Sequence, residues 1–190
     1  MCYINIRKFV SILDYFSFSI LMDLYILRDY VGLYAPIILF VLSLFLLRNM
    51  RLYLQFFVSG FILNNVLNII LKLAIKEPRP SKDQKAIEVG VVNGARICFD
   101  KFGMPSGHAQ NCGYCLSFIT MTLNNPFITC LYVLISVISL FQRYLYNNHT
   151  ILQLITGFII GVGLGYLTYI IGNKYLKGNI KMKMDDNAPL

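Results

Sequence analysis

The chain has 190 residues, of which 57% are hydrophobic and only 14% are charged, whereas an ordinary globular domain has about 25% charged residues. A water-soluble fold of this length could not keep so much apolar surface away from water, so the composition predicts a protein embedded in a lipid bilayer. The net charge of +8 fits membrane flanks and an anionic substrate. It does not favour nucleic acid, because the basic residues fall at the ends of apolar segments and in one loop.

Five apolar segments approach the length of about 20 residues that a helix needs to cross a bilayer. They are Tyr34–Leu47, Tyr53–Leu71, His108–Leu123, Phe127–Leu140 and Thr150–Ile171. An earlier stretch, Phe9–Leu27, is apolar but carries Asp14 and Asp23, and we interpret it as a sixth membrane-associated helix. An interfacial helix or a signal-like segment are the alternatives, although no small-residue cleavage site follows it. The sequence therefore predicts an all-α, polytopic membrane helix bundle of about six helices, with five to six spans.

The connections between these segments divide into short turns and one long loop. Arg48–Arg51 and Asn124–Pro126 are short polar turns that predict antiparallel neighbours. The stretch 76–104 is long, polar and rich in Gly and Pro, and loops of this length are uncommon unless they are functional or disordered. We interpret residues 1–190 as a single membrane-embedded domain, residues 76–104 as a polar active-site loop and residues 174–190 as a charged C-terminal tail.

Six helices would place the N-terminus, both short turns and the C-terminal tail on one face of the membrane. The long loop and the turn from Arg143 to His149 would then share the other face. Lys and Arg are nearly balanced between the faces, so the positive-inside rule does not decide the orientation. If the basic residues near the long loop bind substrate, the active site is expected on the non-cytoplasmic face.

Three polar clusters fall on the face that carries the long loop, and each suits phosphate. They are Lys72 with Arg79 and Pro80, the run Pro105-Ser106-Gly107-His108, and Arg143 with His149. Lys and Arg supply positive charge, and Arg can grip phosphate oxygens through two parallel hydrogen bonds. The Pro-Ser-Gly run opens a predicted helix, whose N-terminus binds anions by geometry and dipole. Together these clusters predict a phosphate-binding site at the membrane surface.

The chain contains only two histidines, His108 and His149, and both belong to these clusters. One histidine could attack phosphorus and form a phosphohistidine. The other could protonate the leaving oxygen and later activate water. This pattern predicts phosphoryl-transfer chemistry based on histidine.

The three clusters resemble the signature of the type 2 phosphatidic acid phosphatase superfamily, which is Lys-x6-Arg-Pro, Pro-Ser-Gly-His and Ser-Arg-x5-His-x3-Asp. The first two match in full and in order, and the third matches at Arg143 and His149. The resemblance implies that His149 is the nucleophile and His108 the acid/base. It also implies a phosphate-binding shell of Lys72, Arg79, Ser106, Gly107 and Arg143. The family needs no metal and the sequence offers no metal-ligand cluster, so we expect no cofactor.

Two positions depart from the signature. Gln142 replaces the Ser that precedes the Arg, and Gln153 replaces the Asp that orients the nucleophilic histidine. Gln153 lies four residues after His149 on the same helix face, so we count it with the catalytic residues. Its carbonyl could accept from the ring, but it carries no negative charge and its amide could favour the wrong tautomer. We therefore expect a slow or specialised enzyme, or one that recruits another carboxylate such as Asp100, and we expect Gln153→Asp to raise turnover.

The leading hypothesis is a metal-independent phosphatase that acts on a membrane lipid phosphate or pyrophosphate, of phosphatidate or polyprenyl type. Gln153 motivates an alternative, a catalytically weakened protein that binds anionic lipid or supports a partner. A third possibility is a transferase that moves a phosphorylated headgroup between lipids. The sequence leaves the lipid, a soluble phosphate as substrate and the oligomeric state open.

Two further groups of residues have structural interpretations. Asn64, Asn65 and Asn68 lie within one apolar segment, and we expect them to form hydrogen bonds between helices. The last segment repeats Gly at every fourth position, at residues 157, 161 and 165, which predicts close packing against a neighbouring helix.

Overall fold

Five helices and one short hairpin make up the part of the chain that the computed structural model describes, namely residues 6–80, 91–92, 95–96 and 101–185, with side chains at 25–80 and 101–176. The helices are α1 (Ile6–Leu47), α2 (Arg51–Ile75), α3 (Gly107–Leu123), α4 (Pro126–Leu145) and α5 (Ile151–Asp185). The hairpin pairs β1 (Val91–Val92) with β2 (Ala95–Arg96) in antiparallel register. Asp100, considered above as an alternative carboxylate, lies outside the described residues.

Local sequence signals explain where several helices begin and end. Ser106 caps α3 by accepting from the backbone N–H of Ala109. The Asn125 side chain caps α4, whose first residue, Pro126, has no N–H to satisfy. Asn124 ends α3 in the left-handed conformation, with φ of 47°, which asparagine tolerates better than most residues. The turn between α3 and α4 is therefore as short as the sequence predicts.

Four of these helices are long and apolar enough to cross a membrane. The qualifying segments are Tyr25–Leu47, Arg51–Ile75, Pro126–Leu145 and Ile151–Leu176. Their outward positions carry large apolar side chains, including Phe45, Ile62, Val137 and Ile159, which are all more than half exposed. Such surfaces need lipid around them, so the protein is an integral membrane protein.

The fifth helix, α3, has only 17 residues and occupies the centre of the bundle. Tyr114, Cys115, Phe118 and Ile119 on this helix are at most 1% exposed. Cys115 and its neighbour Cys112 are buried thiols without a disulfide. A short central helix needs no lipid-facing length of its own, because α2, α4 and α5 surround it.

The described part of the chain has five helices, slightly fewer than the predicted six, and four of them are candidate membrane spans in place of the predicted five to six. The stretch Phe9–Leu27 does not form a helix of its own but continues into the first span, so that α1 runs for 42 residues. No proline interrupts residues 6–35, and Gly32 remains helical where it packs against Gln142. Since α1 is continuous, it begins on the same side of the bundle as the long loop. The sequence had predicted this end on the opposite side, beside the Arg48–Arg51 turn.

Helices α3 and α5 approach each other closely along a row of glycines. A Cβ atom on Gly161 would lie 2.0 Å from the backbone oxygen of Gln110, and one on Gly165 would lie 2.6 Å from that of Tyr114. No side chain fits such spaces, so the glycines permit backbone contact. The repeat in α5 therefore serves packing within the chain, as predicted.

Helices α2 and α3 are joined by a ladder of side-chain amides. Asn68 donates to Gln110 Oε1 over 2.7 Å, and Gln110 donates to Asn64 Oδ1 over 2.9 Å. Asn64 in turn donates to Asn111 over 2.7 Å, and Asn111 donates to Asn65 over 3.0 Å. Buried amides are costly unless paired, so this ladder fixes the register of the two helices. It confirms the predicted role of the three asparagines.

Candidate active site

The three polar clusters lie at one end of the bundle. Lys72 is in the last turn of α2 and is 4% exposed, and Arg143 is in the last turn of α4 and is 2% exposed. Arg79 follows α2 in an irregular segment, and His149 lies in the turn between α4 and α5. Helix C-termini favour cations, which helps to explain why these helices end with a buried Lys and a buried Arg. Residues separated by up to 77 positions in sequence thus surround one small volume.

The ring of His149 is held at both nitrogen atoms. Its Nδ1 atom lies 3.0 Å from the backbone oxygen of Gly103 and 3.3 Å from Oε1 of Gln153. Its Nε2 atom lies 3.0 Å from Nη1 of Arg79. The side chain is 2% exposed. The imidazole of His149 is therefore fixed by contacts from three different segments of the chain.

These contacts determine the tautomer of His149. A backbone carbonyl only accepts and a guanidinium only donates, so Nδ1 carries the proton and Nε2 presents its lone pair towards Arg79. Burial lowers the pKa of His149 well below 6.5, and the positive charges of Arg79 and Lys72 lower this pKa further. His108 and Arg143 act in the same direction. The ring is thus neutral at neutral pH, with an unprotonated Nε2 atom inside a cluster of cations.

Gln153 orients its amide oxygen towards His149. Its Oε1 atom also accepts from the backbone N–H of Thr150 over 3.2 Å. Its Nε2 atom donates to the backbone oxygen of Pro78 over 3.0 Å and to Oε1 of Glu77 over 2.7 Å. The amide therefore supports the tautomer of His149 with the proton on Nδ1. The sequence had left open that the amide favours the other tautomer, and this geometry does not.

Two residues of this arrangement were missed by sequence reasoning, Glu77 and Gly103. The Gly103 N–H donates to the backbone oxygen of Glu77 over 2.8 Å, and Pro78 pairs with Phe102 in an antiparallel bridge. A Cβ atom on Gly103 would lie 2.5 Å from Oε1 of Gln153. The two ends of the long loop therefore pair beside His149. Glu77 directly precedes Pro78 and Arg79, which was the only available signal.

The Pro-Ser-Gly-His run forms a tight entry to α3 against the first turn of α5. The Ser106 N–H donates to the backbone oxygen of Gln153 over 3.1 Å. Gly157 lies beneath this turn, where a Cβ atom would lie 2.5 Å from the Ser106 oxygen. Gly107 occupies the first helical position, as predicted. The second and third clusters of the sequence are thus joined through the backbone of Gln153.

His108 has a different environment from His149. Its Nε2 atom lies 3.0 Å from the backbone oxygen of Leu33 in α1. Because that carbonyl only accepts, Nε2 carries a proton, and Nδ1 is the atom that can exchange one. The side chain is only partly buried. A contact with α1 at this position has no signal in the sequence motif.

Two other expectations concern Gln142 and metal binding. Gln142 is 2% exposed and packs against Gly32, where a Cβ atom would lie 2.5 Å from its side chain. It thus fills the contact between α1 and α4. Within residues 25–80 and 101–176 no three His, Cys, Asp or Glu side chains gather as metal ligands would.

Comparison with known proteins decides the family. The sequence profile of the PAP2 superfamily matches residues 52–177, which is about two thirds of the chain and contains all three polar clusters. The chain belongs to the PAP2 superfamily. A crystal structure of a transmembrane PAP2-type phosphatidylglycerolphosphate phosphatase from Bacillus subtilis has the same fold, with a TM-score of 0.57. It is 18% identical, and the match covers 81% of this chain and 77% of the other.

Two fungal relatives are similar in sequence to this PAP2 member. A palmitoyl-protein thioesterase-dolichyl pyrophosphate phosphatase fusion of Schizosaccharomyces pombe is 26% identical over 86% of this chain, and a dolichyldiphosphatase of Saccharomyces cerevisiae is 28% identical over 59% of it. The matched regions cover only 26% and 48% of those proteins. The family membership and the membrane helices make this chain a PAP2-type membrane phosphatase homologue.

Proposed function

We propose that this protein is a metal-independent phosphatase that removes a phosphate from a lipid pyrophosphate of the polyprenyl type. The observation that carries the proposal is the His149 ring, which presents an unprotonated Nε2 atom within a cluster of cations. The names of both fungal relatives contain dolichyl pyrophosphate or dolichyl diphosphate chemistry, which favours a pyrophosphate over a phosphate monoester.

The first chemical step is attack by the His149 Nε2 lone pair on the terminal phosphorus. The P–N bond forms as the P–O bond to the lipid phosphate breaks, and the departing oxygen takes a proton from Nδ1 of His108. Burial and the charge of Arg143 lower the pKa of His108 to about 3, so the neutral ring must first take this proton from the bound pyrophosphate, whose negative charge raises that pKa. Lys72, Arg79 and Arg143 stabilise the negative charge on the transferring phosphoryl oxygens. Arg79 must leave Nε2 for these oxygens when substrate binds, because its Nη1 atom lies 3.0 Å from Nε2 in the structure.

The second step regenerates the enzyme. Nδ1 of His108 accepts a proton from water, the water oxygen attacks the phosphorus of the phosphohistidine, and the P–N bond breaks. The electron pair returns to Nε2 of His149, and inorganic phosphate leaves. The N-terminus of α3 at Ser106 and Gly107 supplies backbone N–H groups to the phosphate. The site lies at the end of the bundle, so a headgroup can enter while the lipid tail stays in the bilayer.

The test is phosphate release by the purified protein in detergent. The panel contains a polyprenyl pyrophosphate, phosphatidate and a soluble sugar phosphate, with chelator present throughout. The control is His149→Asn, which keeps an amide N–H near Gly103 but lacks the nucleophile. We expect the fastest release from the pyrophosphate and none from the variant. Release that needs a metal, or that survives His149→Asn, would overturn the proposal.

The same panel tests the two other functions. Binding of anionic lipid without release from any substrate would favour the weakened, lipid-binding protein. Transfer of the phosphoryl group to an added alcohol, in place of water, would favour the transferase. The orientation of the Gln153 side chain argues against the catalytically weakened protein. Its amide oxygen faces Nδ1 of His149, whereas its amide nitrogen faces the backbone oxygen of Pro78.

A further inference from the structure

Gln153 occupies the position at which the family signature has Asp, and it is hydrogen-bonded to a carboxylate, that of Glu77. Oε1 of Glu77 is 2.7 Å from Nε2 of Gln153, and Oε1 of Gln153 is 3.3 Å from Nδ1 of His149. Gln153 is fully buried and Glu77 is partly buried. The three side chains thus form a continuous hydrogen-bonded chain from a carboxylate to the proposed nucleophile.

The orientation of the Gln153 amide is fixed by its neighbours. The Thr150 N–H can only donate and faces Oε1, whereas the Pro78 carbonyl can only accept and faces Nε2. Rotating the amide by half a turn would place oxygen against oxygen and N–H against N–H. It would also place an amide oxygen against the carboxylate of Glu77. The side chain of Glu77 therefore adds a charge-assisted hydrogen bond to the orientation in which Oε1 faces His149.

We propose that Glu77 is a positioning residue that acts on His149 through Gln153. It holds the Gln153 amide so that His149 keeps its proton on Nδ1. Its negative charge, relayed by the polar amide, also stabilises the positive charge that develops on the ring when Nε2 bonds to phosphorus. This inference rests on the proposed function, in which His149 is the nucleophile. Gln153 with Glu77 would together replace the single Asp of the family signature.

The side chain of Glu77 can be tested separately from its structural role. The pairing of the two loop ends uses the backbone oxygen of Glu77, which accepts from Gly103. Glu77→Gln keeps that backbone bond and nearly the same side-chain shape, and its own amide oxygen can still accept from Gln153. The substitution therefore removes mainly the charge.

The position also changes what is expected of Gln153→Asp. An Asp at position 153 would bring a second carboxylate close to that of Glu77, and like charges at such a distance disfavour ionisation of both. The single substitution is thus no longer expected to raise turnover. The double variant, Glu77→Gln with Gln153→Asp, places one carboxylate beside His149 and an amide behind it.

A double-mutant cycle with the lipid pyrophosphate tests the relay. We expect Glu77→Gln alone to lower kcat about 10-fold with little change in KM, and to raise kcat when Gln153→Asp is already present. A purely structural Glu77 predicts the same loss in both backgrounds, and that result would overturn the proposal. Asp29→Asn is the matched control, because it removes a carboxylate that contacts Arg28 and Tyr146 but neither His149 nor Gln153.

A second measurement does not depend on activity. The chain has two histidines, so ¹⁵N labelling of histidine gives two ring signals, which His149→Asn assigns. We expect His149 to carry its proton on Nδ1 in the resting protein and to gain an Nε2–H population in Glu77→Ala. A His149 spectrum that Glu77→Ala leaves unchanged in the folded protein would overturn the relay.

The two measurements separate failure of the relay from failure of the proposed function. Phosphate release that survives His149→Asn would overturn the function, and the tautomer spectrum would still decide whether Glu77 controls the ring. Release that requires His149, together with an additive cycle and an unchanged spectrum, would overturn the relay alone.

Discussion

The two histidines of the site differ in how firmly they are held. His149 has contacts at both ring nitrogens, from the long loop, from α5 and from Arg79. His108 has one contact, from its Nε2 atom to the backbone of α1, and the described part of the chain places no partner on its Nδ1. A nucleophile benefits from a fixed ring and a fixed tautomer, whereas an acid/base needs one nitrogen that can exchange protons with substrate and water. These contacts support the proposal that His149 is the nucleophile and His108 the acid/base.

The largest effect is expected when the fixed ring is removed. His149→Asn should lower kcat by about 10⁶-fold, the scale seen when the nucleophile of a covalent enzyme is lost. The reaction is run with a substrate whose terminal phosphate is radiolabelled and is then quenched. The wild-type protein should carry the label, and the variant should not. Label that remains on the variant would assign the covalent step to another residue.

The exchangeable histidine should give a smaller and different effect. His108→Asn should lower kcat by about 10² to 10⁴-fold, the usual range for a general acid or base. With a substrate whose leaving group needs no proton, such as a nitrophenyl phosphate, Nε2 of His149 can still attack, and the variant should accumulate the phosphoenzyme because water is no longer activated. The same trapping experiment checks this. A His108 variant that stays unlabelled with such a substrate would contradict the division of roles.

A change in the packing around His149 tests how much its fixation matters. Gly103→Ala would bring a Cβ atom to 2.5 Å from Oε1 of Gln153, so the amide must move and His149 loses an acceptor. We expect kcat to fall by about 10 to 100-fold, a fraction of the loss of about 10⁴ that follows a wrong tautomer in a serine protease. Gly163→Ala is the matched control, because nothing lies within 4 Å of a Cβ atom at that position. Equal kcat values for the two variants would show that the contact is unimportant.

The smallest effect concerns the charge environment of His149. Burial and nearby cations lower the pKa of His149 below 6.5, so the neutral, nucleophilic ring persists at pH values where an exposed histidine is protonated. Activity limited by this group should therefore decline only at pH below 6.5. Lys72→Met removes one of the charges that lower this pKa, so the His149 titration should move to higher pH. Histidine ¹⁵N spectra across a pH series measure this titration. A titration that Lys72→Met leaves unchanged would show that the charge of Lys72 does not act on His149.

The sequence predicted the helical segments well because apolar runs of this length have few alternatives. Apart from the merger of Phe9–Leu27 with the first span, its errors lie at the ends of helices. α2 continues past Leu71 to Ile75, and α4 continues past Leu140 to Leu145, since Lys72 and Arg143 belong to the last helical turns and point into the site. A hydropathy pattern predicts that a helix ends at its first charged residue. This is correct when the charge anchors the helix at the membrane surface, but not when the charge is buried in the site. α5 likewise continues to Asp185, into the segment interpreted as a tail.

The sequence by itself predicted the membrane bundle, the three polar clusters and their position on one face of the membrane. These features follow from the spacing and hydropathy of residues along the chain, which are local properties. Only the tertiary structure decided the tautomer of His149, the orientation of the Gln153 amide and the contact between Glu77 and Gln153. These depend on which carbonyl, amide or carboxylate lies within about 3 Å of a given atom. Gly103 and Glu77 reach His149 and Gln153 only because the two ends of a long loop pair beside α5, and no local pattern predicts that pairing.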